Sequence, residues 1–432
     1  MSKTLERGIK AYFILVATLM YYFINEQLNV GLAITFRHLF ALLLFGSALL
    51  IFLFQPNVAR GVVAVKDAFV YSMPLVVTTV VSLFIWFAET VDVGVITRGL
   101  STSLIYTNML SAALGVGALL YIFGERGVWY NLIAILLANL LMIATIILQN
   151  GLGVFLSEFI TLIVTFAGTT GDVIIQAEIH ELAFCLGAYL IYMLYRPKKS
   201  VPYLILLVIT LFCFLAAFKR IAMIAIAIAL FFGYILKFIA RYNKKTAIRL
   251  VIFLSVVVIA LLLAYVAAIS VGVFEVLEKM GINTSGRVEI YDAVDEFYEF
   301  SPDFLGNGIG FVTYQLNDFI KMGVASVHND FLQHYIDLGF FGYIIWLVAM
   351  TLVRVCYFGK RENAEGAIVA FILTLYLIIA SSTDNTMNYP LLTGTLAILM
   401  TSNRFDERVR EKETSIFGYV SAENKERKES LL

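Results

Sequence analysis

Residues Ser326 to Leu347 read SVHNDFLQHYIDLGFFGYIIWL, and the two halves of that stretch demand different surroundings. The first half carries His328, Asn329, Asp330, Gln333 and His334. The second belongs to a run from Leu338 to Val353 that contains no Lys, Arg, Asp or Glu. Such a run suits the hydrocarbon core of a bilayer, where a spanning helix needs about 20 mostly apolar residues. The polar half then falls at the mouth of a span, where headgroups meet water.

The composition of the whole chain agrees. Of its 432 residues, 61% are hydrophobic and 14% charged, and the mean hydropathy is +0.88. A soluble domain is roughly 45–50% apolar and about 25% charged. No soluble core can hide this much apolar surface. The expected fold is therefore an all-α polytopic membrane protein, one integral membrane domain over 1–432. Twelve runs are candidate spans: 9–24, 38–55, 68–87, 99–122, 129–149, 180–195, 201–217, 221–239, 250–270, 336–353, 367–382 and 388–401. A further run, Gly153 to Gly168, is interrupted by Glu158 and reads as interfacial or re-entrant. The three cysteines, Cys185, Cys213 and Cys356, fall in or beside apolar runs and read as packing residues. Net charge is zero, so nothing global points to nucleic acid. The first apolar run has no cleavage signature and reads as a retained helix.

Basic residues in short loops favour the cytoplasm. With the N-terminus inside, all of the 31 Lys and Arg except Arg37, Arg98, Lys219, Arg220, Lys279, Arg287 and Lys321 fall in segments assigned to the inside. Both termini are then cytoplasmic, with a charged tail over 404–432. On the outside lies one long segment, about 271–335, rich in acidic and aromatic residues. Disordered segments are poor in aromatics, so this one is expected to fold. Val288, Tyr291, Val294, Phe297 and Tyr298 recur at helical spacing. After them GNGIG, with Gly306, Gly308 and Gly310, lets the backbone turn sharply or approach a ligand closely.

Three places can carry chemistry. The first is the opening stretch, where Asn329 and Asp330 either cap a helix or face a substrate. The second is Arg287, at the start of the amphipathic helix in an acidic loop. It either pairs with Glu289 or Asp292, or uses its planar fork to hold a phosphate. The third is the pair Lys219–Arg220 inside an otherwise apolar stretch. It marks a tight outer hairpin and either snorkels to headgroups or lines a site. No phosphate loop of Walker type and no HExxH occurs. His328 and His334 are six residues apart, the wrong spacing for two ligands on one helix face.

Three stretches together resemble the O-antigen polymerase and O-antigen ligase superfamily of the bacterial cell envelope. They are FKRIAMIAI, SGRVEIYDAVDEFYEFSPDFLGNGIGF and HNDFLQHYIDLGFFGYIIW, spread over about residues 200–350. Lys219 replaces the Ser common in the family, and IDLG replaces a Glu-containing form. These departures leave polymerase and ligase both open. The resemblance implies a metal-independent, GT-C-like membrane glycosyltransferase with no cofactor, working on the outer face of the cytoplasmic membrane. It implies an undecaprenyl-pyrophosphate-linked oligosaccharide as donor, with membrane lipid and a chain-length regulator protein as further partners, in polysaccharide, capsule or lipopolysaccharide synthesis. Carried onto this chain, His328, Arg287 and Arg220 become the expected catalytic residues. His328 would act as a base or a phosphate ligand, and the arginines would stabilise the leaving group. Lys219, Asn329, Asp330, Gln333, Gly306, Gly308 and Tyr291 become the expected substrate-binding residues. The alternative of another class is a transporter. Against it stand the missing internal repeat and the lack of paired intramembrane carboxylates.

Overall fold

The computed structural model describes residues 3–25, 30–88, 91–165, 180–217, 219–281, 286–316, 327–359 and 364–415. Among these residues the structure is helical, with no β-strand. Lys321, Lys360, Arg361 and the tail from 416 onward lie outside the described residues, as do 282–285 and 317–326 of the long loop.

Each apolar run of the sequence lies in helix, but not as twelve uniform spans. The helices are α1 (Lys3–Asn25), α2 (Val30–Phe54), α3 (Val58–Tyr71), α4 (Met73–Ala88), α5 (Val93–Phe123), α6 (Gly127–Asn150) and α7 (Leu152–Thr165), followed by α8 (His180–Tyr195), α9 (Val201–Ala217), α10 (Arg220–Tyr242) and α11 (Lys244–Ser270). The long loop holds three short helices, α12 (Val273–Lys279), α13 (Arg287–Asp295) and α14 (Phe311–Tyr314). The chain then returns through α15 (Asp330–Val348), α16 (Arg354–Gly359), α17 (Ala364–Ser381) and α18 (Pro390–Thr401). Among the described residues, five stretches are long and apolar enough to cross a membrane, or six if one bent pair counts as a span. The remaining apolar helices are shorter, including α7 to α9 and α18.

The bent pair corrects the run expected over 68–87. It breaks into α3 and α4, inclined by 54°. Pro74 explains the position of the break, since proline lacks the N–H that a continuing helix needs and is at home in a first turn. The break frees the carbonyl of Tyr71. Arg354 takes it with two bonds, from Nε at 3.2 Å and Nη2 at 2.6 Å, while its guanidinium lies 4.1 Å from the centre of the Tyr71 ring. The sequence reading puts Arg354 in an inner loop. The structure buries it instead, 5% exposed, where it satisfies an interrupted helix.

The chain forms two compact units. The first comprises residues 1–70, 111–182 and 394–432, and the second 71–110 and 183–393. In the first, α1 packs on α2 and α6, and α7 folds back on α6 after Gly151, whose φ of 90° is open to glycine. A helix over 405–415 does not stand free in solvent. Arg408 pairs with the fully buried Asp67 at 2.7 Å, Arg60 with Asp406 at 3.0 Å, and Asn57 donates to Glu413 at 2.8 Å.

In the second unit α10 lies along α17, and both pack on α11. Near the start of α10, Ile226 and Tyr376 both lie against the bare Gly187. Further along, Gly233 lies against Ile372. The pairing runs antiparallel, so Arg220 at the start of α10 and Ser381 at the end of α17 lie at the same end of this unit. The far end of α11 joins them there, since the Tyr265 hydroxyl donates to the carbonyl of Ser382 at 3.0 Å.

α15 is broken at Gly339, whose φ of 70° and ψ of −179° are not helical. The glycine loop supplies the missing partners. Asn307 donates its N–H to the carbonyl of Ile336 (3.1 Å), Gly308 to Asp337 (2.7 Å), and Phe340 donates back to Phe304 (2.9 Å). A Cβ on Gly306 would stand 2.3 Å from the Gly339 nitrogen, and one on Gly339 2.1 Å from the Leu305 carbonyl carbon. Backbone lies against backbone here, which only glycine allows.

Candidate functional site

The polar end of the second unit is built around the start of α15. His328 is exposed and sits at a φ of 50°, the left-handed region that a side chain with a Cβ rarely adopts. Asn329 follows in extended conformation and caps α15. Its Oδ1 accepts from the N–H groups of Phe331 (3.1 Å) and Leu332 (3.2 Å). Its Nδ2 donates to the hydroxyls of Tyr265 and Tyr291, both at 3.1 Å. Asp330 is buried, and its carboxylate accepts the N–H of Met387 at 2.9 Å and a bond from Ser381.

One turn further on, Gln333 and His334 are also buried. A carbonyl can only accept, so His334 donates from Nδ1 to the Asp330 carbonyl at 2.7 Å. Its Nε2 then accepts from the Tyr106 hydroxyl at 3.3 Å, and its ring stacks on Trp346 at 4.2 Å. His334 is an interior residue of the unit.

Arg287 opens α13 behind Gly286, whose φ is 71°. The Arg287 Nη2 donates to the Thr383 carbonyl at 2.7 Å. Two residues on, the Asn385 amide nitrogen lies 3.4 Å from His328 Nδ1. Arg287 and His328 thus meet the same short connector, which runs from Ser382 to Met387 between α17 and α18. Tyr265 and Asp330 hold that connector from below, through Ser382 and Met387. Tyr291 is buried beneath Arg287, its ring edge-on to Phe274 at 5.0 Å. Burial pushes the Tyr291 phenol up, while the bond from Asn329 and the charge of Arg287 pull the other way. Asp292, on the outer face of the same helix, is raised by burial and by Glu275, Asp295 and Glu278.

The remaining expected residues are placed as follows. Arg220 is exposed at the start of α10, and Lys219 is its half-buried N-cap residue. The fold brings Arg220 to the same end as Arg287 and His328. Gly306 and Gly308 stand in the bonded loop at the break of α15, and a Cβ on Gly308 would strike Trp86. Asn329, Asp330, Gln333 and Tyr291 are the buried frame beneath His328. The sequence reading missed Tyr265, Thr383 and Asn385. A signal was present for the connector: SSTDNT, Ser381 to Thr386, is a polar tract between the last two apolar runs, on the side that loop alternation assigns to the outside.

The fold defines a multi-pass membrane protein whose polar and cationic groups gather at one end of a helical unit. Residues 203–347 match the O-antigen ligase family model, consistent with the O-antigen polymerase and ligase superfamily, whose members are membrane glycosyltransferase-like enzymes. The match takes in Arg220, Arg287, the glycine loop and His328, and stops before the connector at 382–387. No curated protein matches the chain.

Proposed function

We propose that the chain is a polysaccharide polymerase of O-antigen or capsule type, a GT-C-like glycosyltransferase of about twelve passes in the bacterial cytoplasmic membrane. Both termini face the cytoplasm, and the end carrying His328 faces away from it. The donor is a glycan on undecaprenyl pyrophosphate, and the acceptor is a single lipid-linked repeat unit. The acceptor hydroxyl attacks the anomeric carbon. The bond from that carbon to the pyrophosphate oxygen breaks, and lipid pyrophosphate leaves with the electron pair. Arg287 and Arg220 stabilise the charge that develops on the leaving group, and His328 either takes the proton of the attacking hydroxyl as base or binds the phosphate. A chain-length regulator is a natural partner for such an enzyme.

The observation that carries this reading is the convergence of Arg287 and His328 on the connector, at the end of the unit where Arg220 begins α10. Donors drawn from distant parts of the sequence toward one polar end suit a phosphate-bearing lipid that enters from the bilayer. A second reading keeps the chemistry and changes the acceptor to a lipid A core or a protein. The description of the matching family, O-antigen ligase, favours it.

The test is a glycan ladder from cells carrying Arg287→Lys or His328→Ala, with immunoblotting for protein level. Lysine keeps the charge and loses the fork, so both variants are expected to lose the ladder at unchanged abundance. Normal ladders from both would refute the site. Single repeat units without a ladder identify a polymerase, whereas long chains stranded on the carrier lipid identify a ligase.

A further inference from the structure

We infer that Asn385 is a positioning residue that holds His328 in the tautomer protonated on Nε2. On this assignment, which rests on the function proposed above, His328 meets the substrate as a hydrogen-bond donor to phosphate oxygen and not as the base. The inference begins with the Asn385 amide. Its nitrogen faces His328 Nδ1 at 3.4 Å, whereas its Oδ1 is buried without a hydrogen-bond partner among the described residues.

Turning the amide over would exchange the two. The NH2 group, with two donors, would then enter the buried position. A buried donor without an acceptor is rarer and costlier than an under-used carbonyl oxygen. The amide therefore keeps its nitrogen toward the imidazole. An N–H that donates to Nδ1 requires a bare Nδ1, so the proton of the neutral ring resides on Nε2.

The surroundings hold this arrangement in place. His328 is exposed, at a left-handed φ, immediately before the cap formed by Asn329. The connector carrying Asn385 is pinned on either side, by Arg287 at Thr383 and by Asp330 at Met387. With its proton on Nε2, the exposed His328 brings a neutral donor to the connector that the Arg287 fork also meets. The ligand class that suits such a set is a phosphate or pyrophosphate ester, whose oxygens only accept.

The experiment is solid-state NMR of the full chain labelled with 15N-histidine and reconstituted in lipid, at a pH where imidazole is neutral. The chain has four histidines, so a His328→Ala spectrum identifies the His328 signals by difference. The wild type is expected to show Nε2 protonated and Nδ1 bare. Asn385→Ala should give a mixture of tautomers. Asn385→Asp, whose carboxylate can only accept when ionised, should move the proton to Nδ1. The His334 signals, fixed by the Asp330 carbonyl, report whether each variant is folded, and the near-isosteric Asp variant serves if the Ala variant is not. A wild-type proton on Nδ1, or a tautomer unchanged in folded Asn385 variants, overturns the inference. Glycan synthesis separates it from the reading beneath it. Activity retained in His328→Ala refutes a role for His328 in the reaction, the donor role included, while the tautomer held by Asn385 is decided by the NMR alone. His328→Ala inactive with Asn385→Asp fully active refutes the donor role, for which a loss of about 10²-fold is expected.

Discussion

Asn329 and His328 are neighbours in one polar motif, yet the structure predicts opposite consequences for their removal. Asn329→Ala deletes a helix cap and two amide-to-phenol bonds, one buried and one partly buried. The cap contributes about 0.5–2 kcal/mol, and each bond about 0.5–1.5 kcal/mol. The expected loss is therefore about 2–4 kcal/mol, once overlap among the bonds is allowed for. His328→Ala removes an exposed ring, including its 3.4 Å contact with Asn385, and keeps the same backbone conformation, because alanine meets the same restriction at a φ of 50°. Its cost should stay within about 0.5 kcal/mol, as for other exposed positions.

The assay is thermal unfolding of the purified variants in one detergent, beside the glycan ladder. Asn329→Ala should unfold at a clearly lower temperature and lose activity with abundance. His328→Ala should unfold with the wild type and lose activity alone. Equal midpoints for Asn329→Ala and wild type would refute the framework role of Asn329. A lower midpoint for His328→Ala than for Asn329→Ala would refute the division of the motif into a buried frame and an exposed reacting group.

Three further outcomes follow from the same contacts. Tyr265→Phe removes the hydroxyl that accepts from Asn329 and donates to Ser382, so stability should fall by about 1–2 kcal/mol and the ladder should shorten, although Tyr265 bears no charge; unchanged unfolding and activity would dismiss its hold on the connector. Gly339→Ala drives a Cβ into the Leu305 carbonyl at positive φ and should cost about 3 kcal/mol or more, seen as loss of monodisperse protein after detergent extraction; a well-behaved, active Ala variant would contradict the broken-helix geometry. Arg408→Ala removes the ion-pair partner of the buried Asp67 carboxylate and should destabilise by about 3–5 kcal/mol, with Asp67→Asn in the same chain restoring part of the loss; no loss on Arg408→Ala would show that the 405–415 helix does not depend on that pair.

The helices were legible because apolar runs leave little choice: in a bilayer the backbone must satisfy itself locally. Their interruptions were not. The break at Tyr71–Met73 coincides with a visible Pro74, but its satisfying partner, Arg354, lies 283 residues away and reads in sequence as one more loop cation. GNGIG announced a close approach without naming what approaches. Three glycines fit a ligand as well as they fit what they meet, which is the Gly339 backbone at Gly306, Trp86 at Gly308 and Gly99 at Gly310, and none of these partners is signalled by a local pattern. The connector escaped for a different reason. SSTDNT between two apolar runs is what an ordinary tight turn looks like, and its importance arises only from Arg287 and His328, which tertiary folding brings to it.

The crowding of polar residues in HNDFLQH has an energetic reason of its own. A non-glycine residue in the left-handed region costs about 1–2 kcal/mol, so such a conformation persists only when its neighbours over-determine it. Asn329 fixes the chain immediately after His328 through four bonds, and Asp330 ties the next residue to Met387. The estimated 2–4 kcal/mol from Asn329 alone exceeds the strain at His328. Most of the motif is therefore the frame that makes one exposed imidazole tenable where it stands. That also explains why reading every polar residue of the stretch as a substrate contact outruns the structure: Asn329, Asp330 and Gln333 are buried, and the only side chain of the HND triplet that reaches solvent is His328.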